Sequence, residues 1–209
     1  MMKSTTKTLI AAGLLSASVM AEAGLSANIG AMSDYYFRGV DQGVSGASIM
    51  GGLDYEAENG LSVGTWAASL NDGEQEIDVY GGYAGEVEEF SYYLGYTGYL
   101  YTEDGATDFH EINLNLGYGP ISFEYTVGTE DAASGVEESD YTFAAITGEY
   151  EGAYLTLGSY GNDYDGEYWE VGYNTTYEGL DMGVAYIDPD SEIGSGDTIN
   201  FYISKTFEF

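Results

Sequence analysis

Apolar and polar residues alternate with a period of two along most of this chain, and helical periodicity is nearly absent. Residues 167–178 set Trp169, Val171, Tyr173, Thr175 and Tyr177 on one side, and Tyr168, Glu170, Gly172, Asn174, Thr176 and Glu178 on the other. Residues 120–130 repeat the pattern, with Ile121, Phe123, Tyr125 and Val127 against Ser122, Glu124, Thr126 and Gly128. Residues 77–86 do so too, setting Ile77, Val79 and Tyr83 against Asp78, Tyr80 and Glu86. Side chains of a strand point to opposite faces in turn, so this rhythm predicts strands with one apolar and one polar face. It predicts them near 25–37, 46–56, 61–70, 75–86, 89–101, 108–118, 120–130, 139–150, 153–161, 166–178, 180–188 and 197–209.

The connections alternate as well. Short ones fall at Glu58-Asn59-Gly60, Glu88-Glu89, Gly119-Pro120, Glu151-Gly152 and Glu178-Gly179. Longer polar loops lie between them, such as 130–139, 161–167 and 188–197. An even number of strands with long and short connections in turn is the pattern of an outer-membrane barrel, whose loops lie outside and turns in the periplasm. The last segment, Ile199 to Phe209, alternates apolar and polar positions and stops on an aromatic, as the final strand of such a barrel does.

The first 23 residues read differently. Lys3 and Lys7 precede an apolar stretch from Leu9 to Met20, and Ala21-Glu22-Ala23 offers a small-x-small cleavage site. That apolar run is shorter than the about 20 residues a membrane helix needs. The expected mature chain starts at Gly24, with a cut after Ala21 as the alternative. No second apolar run reaches membrane length, so a membrane-embedded form of this chain must be a closed sheet. The fold predicted is therefore all-β: a single transmembrane antiparallel up-and-down β-barrel of about 12 strands over residues 24–209, after an N-terminal signal peptide over residues 1–23. The place expected for it is the outer membrane of a Gram-negative bacterium.

Charge narrows the partners. The chain has 36 acidic and 4 basic residues, a net charge of −32. Phosphate recognition needs clustered Lys and Arg, so nucleic acid is excluded as a partner. Disordered acidic chains are poor in aromatics, whereas this one is 15% aromatic with 22 Tyr. The absence of Cys suits an exported bacterial protein without disulfides. Gly-Tyr pairs at Gly82-Tyr83, Gly95-Tyr96, Gly98-Tyr99, Gly117-Tyr118 and Gly172-Tyr173 suit a barrel whose rings cover bare backbone and form interfacial girdles. The expected partners are outer-membrane lipid and lipopolysaccharide, small solutes, and the periplasmic chaperones and barrel-assembly machinery that engage a C-terminal strand ending in Phe209.

The polar faces supply the candidate site. They would carry Asp34 and Arg38 from the first strand, then Asp54, Glu56, Asp78, Glu124, Glu170 and Asp181 around the lumen. Lumenal carboxylates favour cations over anions. Arg38 is the one cation of the mature chain outside the last strand. It would either oppose these carboxylates across a constriction or fix the first loop through Asp34, Asp41 or Asp54. Lys205 shares the outward face of Ile203 and Phe207 but lies near the boundary, where its amine reaches headgroups.

Chemistry has little to work with. His110 is the single histidine, and no serine follows it closely, so a surface histidine outweighs a catalytic one. Asn162-Asp163-Tyr164-Asp165-Gly166 resembles a calcium loop superficially, but Gly161 and Gly172 stand where its first and last acidic ligands belong. Asp188, Asp190, Glu192 and Asp197 could gather a divalent ion, though charged loop residues are usually just solvated. No cofactor, metal or catalytic residue is expected.

Residues 33–42, Ser-Asp-Tyr-Tyr-Phe-Arg-Gly-Val-Asp-Gln, resemble a signature of the TorF-type family of proteobacterial outer-membrane porins. The resemblance continues through Gly51-Gly52-Leu53-Asp54-Tyr55, Gly60 and Gly64-Thr65-Trp66-Ala67. Asp41 stands where that family usually has Ser, Met50 where it has Gln, and Ala68-Ser69 where Ser-Asn follows the Trp. The resemblance implies a porin barrel. Residues and resemblance together give a porin-like channel for passive diffusion of small cationic or neutral solutes through a narrow acidic lumen. The alternatives are a non-conducting structural or adhesive barrel acting through its acidic extracellular loops, and a lipid-modifying enzyme using His110.

Overall fold

The computed structural model describes residues 24–42, 46–102, 106–132, 137–194 and 196–209. The expected export signal and its cleavage site lie outside the described residues. In chain order the strands are β1 (Gly24–Met32), β2 (Tyr36–Phe37), β3 (Val40–Asp41), β4 (Ser48–Glu56), β5 (Leu61–Ser69), β6 (Gln75–Val87), β7 (Phe90–Tyr101) and β8 (Phe109–Tyr118). They continue as β9 (Ile121–Glu130), β10 (Ser139–Tyr150), β11 (Ala153–Asn162), β12 (Glu167–Tyr177), β13 (Leu180–Pro189) and β14 (Thr198–Glu208). All but β2 and β3 form one closed antiparallel barrel of twelve strands, each paired to its sequence neighbour. The ring shuts where β1 meets β14, with Ser26 opposite Glu208 and Met32 opposite Tyr202. At this seam the Phe209 amide donates to the Leu25 carbonyl at 2.9 Å. Closure leaves the ring without a free edge, so the strands crossing the membrane pair their backbone groups with one another rather than with water.

The alternation decides which face goes where. Ile49, Leu53, Val63, Ile112, Ile121, Val127, Leu157 and Ile203 are large apolar side chains left exposed on the outer wall. Glu76, Asp78, Thr97, Glu111, Asn113, Thr126 and Glu170 are buried inside. This inverts a water-soluble protein: the apolar surface faces out, as it must when the surroundings are hydrocarbon. Tyr55, Tyr118, Tyr150 and Tyr177 stand exposed at the strand ends nearest the short turns, an aromatic girdle on that rim. Lys205 lies on the outer wall near the same rim, its amine 5.5 Å from the Phe207 ring centroid.

The short turns have a particular chemistry. Glu151 and Gly152 take φ of 51° and 86°, and Glu178 and Gly179 take 52° and 76°, the left-handed geometry that matches strand twist in a two-residue hairpin. Both chain ends of the barrel lie on this rim, as an even strand count requires.

The first connection departs from the expected rhythm. The strand expected over 25–37 stops at Met32, and the chain then folds inward. Tyr36 pairs with Asp41 and Phe37 with Val40 in a small hairpin whose tip is Arg38-Gly39, at φ of 48° and 83°. The physical reason is local. A strand cannot run through two left-handed residues, and Tyr35 (3% exposed) finds cover inside the wall, clustered with Trp66 and Ala68, its ring 5.5 Å from that of Trp66.

Candidate functional site

The hairpin tip sits inside the lumen. Arg38 is 6% exposed, and its guanidinium bridges two strands of the wall. One terminal nitrogen donates to Glu111 Oε1 on β8 at 2.5 Å. The other donates to Glu124 Oε1 on β9 at 2.5 Å and to Thr126 Oγ1 at 3.0 Å. The guanidinium also lies between two rings, 4.6 Å from the Phe37 centroid and 4.4 Å from that of Phe143. Five donors on a planar fork suit this many partners, where a lysine would serve one or two. Glu111 is held further by the hydroxyls of Tyr99 and Tyr141, each donating at 2.8 Å.

Of the two arrangements expected for Arg38, its ion pairs are those with carboxylates of the far wall, Glu111 and Glu124. Sequence distance hid this, since the pairs span 73 and 86 residues. Glu111 was the residue missed. Its inward parity, shared with Phe109 and Asn113, was the available signal.

Next to the tip, Tyr35 donates to Glu76 Oε1 at 2.5 Å. Burial raises the Tyr35 phenol above its ordinary range, and the nearby Glu76 and Asp78 carboxylates add to it. Gly39 lies flat on Tyr168, since a Cβ there would come within 2.7 Å of the ring. Tyr160 donates to the Arg38 carbonyl at 3.4 Å. The tip is thus held at side chain, ring and backbone.

Of the other expected site residues, Asp54, Asp78, Glu124 and Glu170 all lie on inward faces. Asp54 accepts from Tyr80 at 2.5 Å, and Glu170 from Tyr154. Asp78 is 0% exposed, and among the described residues neither of its oxygens has a hydrogen-bond partner. Asp34 is half-buried in the loop after β1, not on a strand. Nearer the turn rim the inward positions carry Glu56, Glu149 and Asp181, all only partly buried. Among the described residues Arg38 is the single cation facing the lumen, because Lys205 points outward.

The loop carboxylates serve locally. Asp163 accepts from the Asp140 amide at 3.1 Å, and Asp190 accepts from the Glu167 and Glu192 amides at 2.8 and 3.0 Å. Asp188 accepts from the Trp169 indole at 2.9 Å. Among the described residues no three His, Cys, Asp or Glu side chains are grouped to hold a metal ion. His110 lies on the outer wall, with its ring nitrogens meeting Tyr96 Oη at 2.6 Å and Asp131 Oδ2 at 3.2 Å. No serine is among these partners.

A closed twelve-strand barrel with an apolar exterior and a carboxylate-lined interior has the fold of outer-membrane porins. The solved KdgM porin superposes with a TM-score of 0.58 at 8% identity, covering 88% of this chain and 99% of its own. KdgM in complex with disordered oligogalacturonate gives 0.57 at 7% identity, covering 89% and 99%. The chain belongs to the bacterial family of unknown function Gcw_chp, whose model matches residues 16–207. The likeness of residues 33–42 to the TorF-type signature remains a resemblance, and the family shown is Gcw_chp. No curated protein matches the sequence.

Proposed function

We propose that this protein is an outer-membrane channel for passive diffusion of small cationic or neutral solutes, with the Arg38 hairpin setting its constriction. The observation that carries the reading is charge asymmetry across the lumen. Asp54, Glu56, Glu124, Glu149 and Asp181 are only partly buried on the inner wall, while a single guanidinium faces them. Carboxylates in a low-dielectric passage raise the local concentration of cations and repel anions. Twelve strands give a lumen between the filled eight-strand barrels and the open sixteen-strand porins, and the inward hairpin narrows it further. The oligogalacturonate named for the KdgM complex is a chain of sugar acids, which this interior would repel. No bond-making step is required of any residue.

A second reading has one observation in its favour. Arg38 is buried with its charge fully paired, so the hairpin acts as a plug in the barrel, and the acidic loops would then carry the function from outside. Single-channel recording of the refolded mature protein in a planar bilayer under a salt gradient separates the two. Discrete steps with a cation-selective reversal potential support the acidic channel. Anion-selective steps keep a channel and remove its proposed selectivity. Silence from folded, inserted protein overturns the channel in favour of the plugged barrel.

A further inference from the structure

The surroundings of the Arg38 side chain form a guanidinium cradle built almost wholly by the barrel. Glu111 of β8, with Glu124 and Thr126 of β9, accepts from the edges of the fork. Phe143 of β10 covers one face, its ring centroid 4.4 Å from the central carbon, and electron-rich rings favour a planar cation. The acceptors are themselves fixed. Tyr99 and Tyr141 donate to Glu111, while Thr126 donates to Asn113 Oδ1 at 2.8 Å and Asn113 donates to Thr97 Oγ1 at 3.1 Å. Of the groups around the guanidinium only the Phe37 ring comes from the hairpin. The cradle therefore stands whether or not the hairpin fills it.

The hairpin is a weak occupant by itself. It has two residue pairs, Tyr36 with Asp41 and Phe37 with Val40, closed by the Gln42 amide on the Tyr35 carbonyl at 2.8 Å. Two-stranded hairpins of that size do not hold their own shape in water. Arg38 also sits at φ of 48°, a region that a residue with a side chain enters at a cost and keeps only when its surroundings impose it. Both bonds from Arg38 to Glu124 fall on Oε1, and this side chain is 33% exposed. Glu124 lies on the turn side of Thr126 along β9, toward the partly buried Asp54, Glu56, Glu149 and Asp181. A cation drawn in by those carboxylates meets Glu124 first.

We propose that this cradle binds guanidinium-bearing solutes, and that Arg38 is a tethered stand-in for them. A free guanidinium that takes Glu111 and Glu124 releases the tip and widens the lumen. Widening matters for transport only on the channel reading above, whereas the binding does not depend on it. A planar fork suits the site better than an ammonium, because its acceptors stand on two strands and its faces meet aromatic rings, which a compact point charge cannot use together.

The test sets ethylguanidinium chloride against ethylammonium chloride at equal concentration, on the full mature barrel folded in detergent. Arg38→Ala empties the cradle. Ethylguanidinium at roughly tenfold its dissociation constant then raises that variant's thermal midpoint by roughly 3–6 °C, and ethylammonium raises it far less. Equal effects of the two cations, or none, overturn the site. Wild type supplies a second readout that does not need the variant to fold. A short tether holds Arg38 at an effective concentration in the millimolar range, so the probes are used at about 50 mM. Chymotrypsin cleavage within Tyr35–Phe37 rises several-fold with ethylguanidinium and stays at its baseline with ethylammonium. Cleavage indifferent to ethylguanidinium overturns the displacement of Arg38. Conductance is read separately: a silent barrel whose Arg38→Ala midpoint still responds to ethylguanidinium keeps the site and loses the channel.

Discussion

Arg38 and Glu111 meet at 2.5 Å inside the barrel, although one is carried on a loop and the other on a strand 73 residues later. Each is nearly out of solvent, with side chains 5% and 1% exposed. The pair joins the only inward-folded segment described to the opposite wall. A buried pair specifies geometry more than it stabilises, but removing one partner leaves the other stranded. Arg38→Ala should therefore destabilise the folded barrel by about 3–5 kcal/mol, measured by urea titration. It should also release the hairpin and raise single-channel conductance. Arg38→Lys should recover part of the stability, since an amine meets one carboxylate where the fork meets two.

Gly39 tests the hairpin's seat without touching any charge. It lies at φ of 83° against the Tyr168 ring. Gly39→Val adds a β-branched side chain at a left-handed position and drives it into that ring. The expected result is an unseated hairpin with the barrel itself intact: faster proteolysis within residues 33–42, unchanged far-UV circular dichroism, and larger conductance steps. Unchanged proteolysis would show that the tip is not held where the ring contact places it.

Selectivity should follow the accessible carboxylates. The Glu124 side chain is 33% exposed even while paired with Arg38, and Asp54 is partly buried under Tyr80. Glu124→Gln and Asp54→Asn should each move the reversal potential toward zero under a salt gradient, and together by more than either alone. Neutralising Glu167, on the outer face of β12, should leave it in place.

The turn-rim hairpins can be improved. Glu151 and Glu178 hold left-handed conformations that Asn adopts more easily. Glu151→Asn and Glu178→Asn should each stabilise the folded barrel by roughly 0.5–1 kcal/mol. Urea unfolding of the single and double variants would give the values, and the two sites are on separate hairpins, so the gains should add.

At the seam, Phe209 ties the chain end to Leu25 through one backbone bond and leaves its ring exposed at 78%. Deleting Phe209 should cost little stability in the finished barrel. If the terminal aromatic is what the assembly machinery engages, the deletion should lower the yield of inserted protein several-fold in cells, scored by heat-modifiable migration on gels. Equal yields would remove that partner.

How much of this was legible along the chain differs by element. Strands β4 to β14 were readable because each must show apolar groups to one medium and polar groups to another, and a period of two records that directly. The parities of Asp54, Glu124 and Glu170 followed from the same rhythm. The segment after Met32 broke the reading, because Tyr35, Tyr36 and Phe37 continue a strand-like composition while Arg38-Gly39 turns back at positive φ. The Phe-Arg-Gly stretch was visible as a motif, but its role as the tip of an inward hairpin was not.

The sequence by itself determined the class of structure: alternation, turn residues and an aromatic end admit few folds besides a closed antiparallel barrel, because backbone groups in hydrocarbon must all be paired. Only the tertiary structure decided which charges meet. Arg38 could not be assigned to Glu111 and Glu124, nor Asp78 left without a hydrogen-bond partner among the described residues, until the ring had closed. Those relationships depend on curvature and on strands far apart in the chain, which a local pattern of side chains does not record.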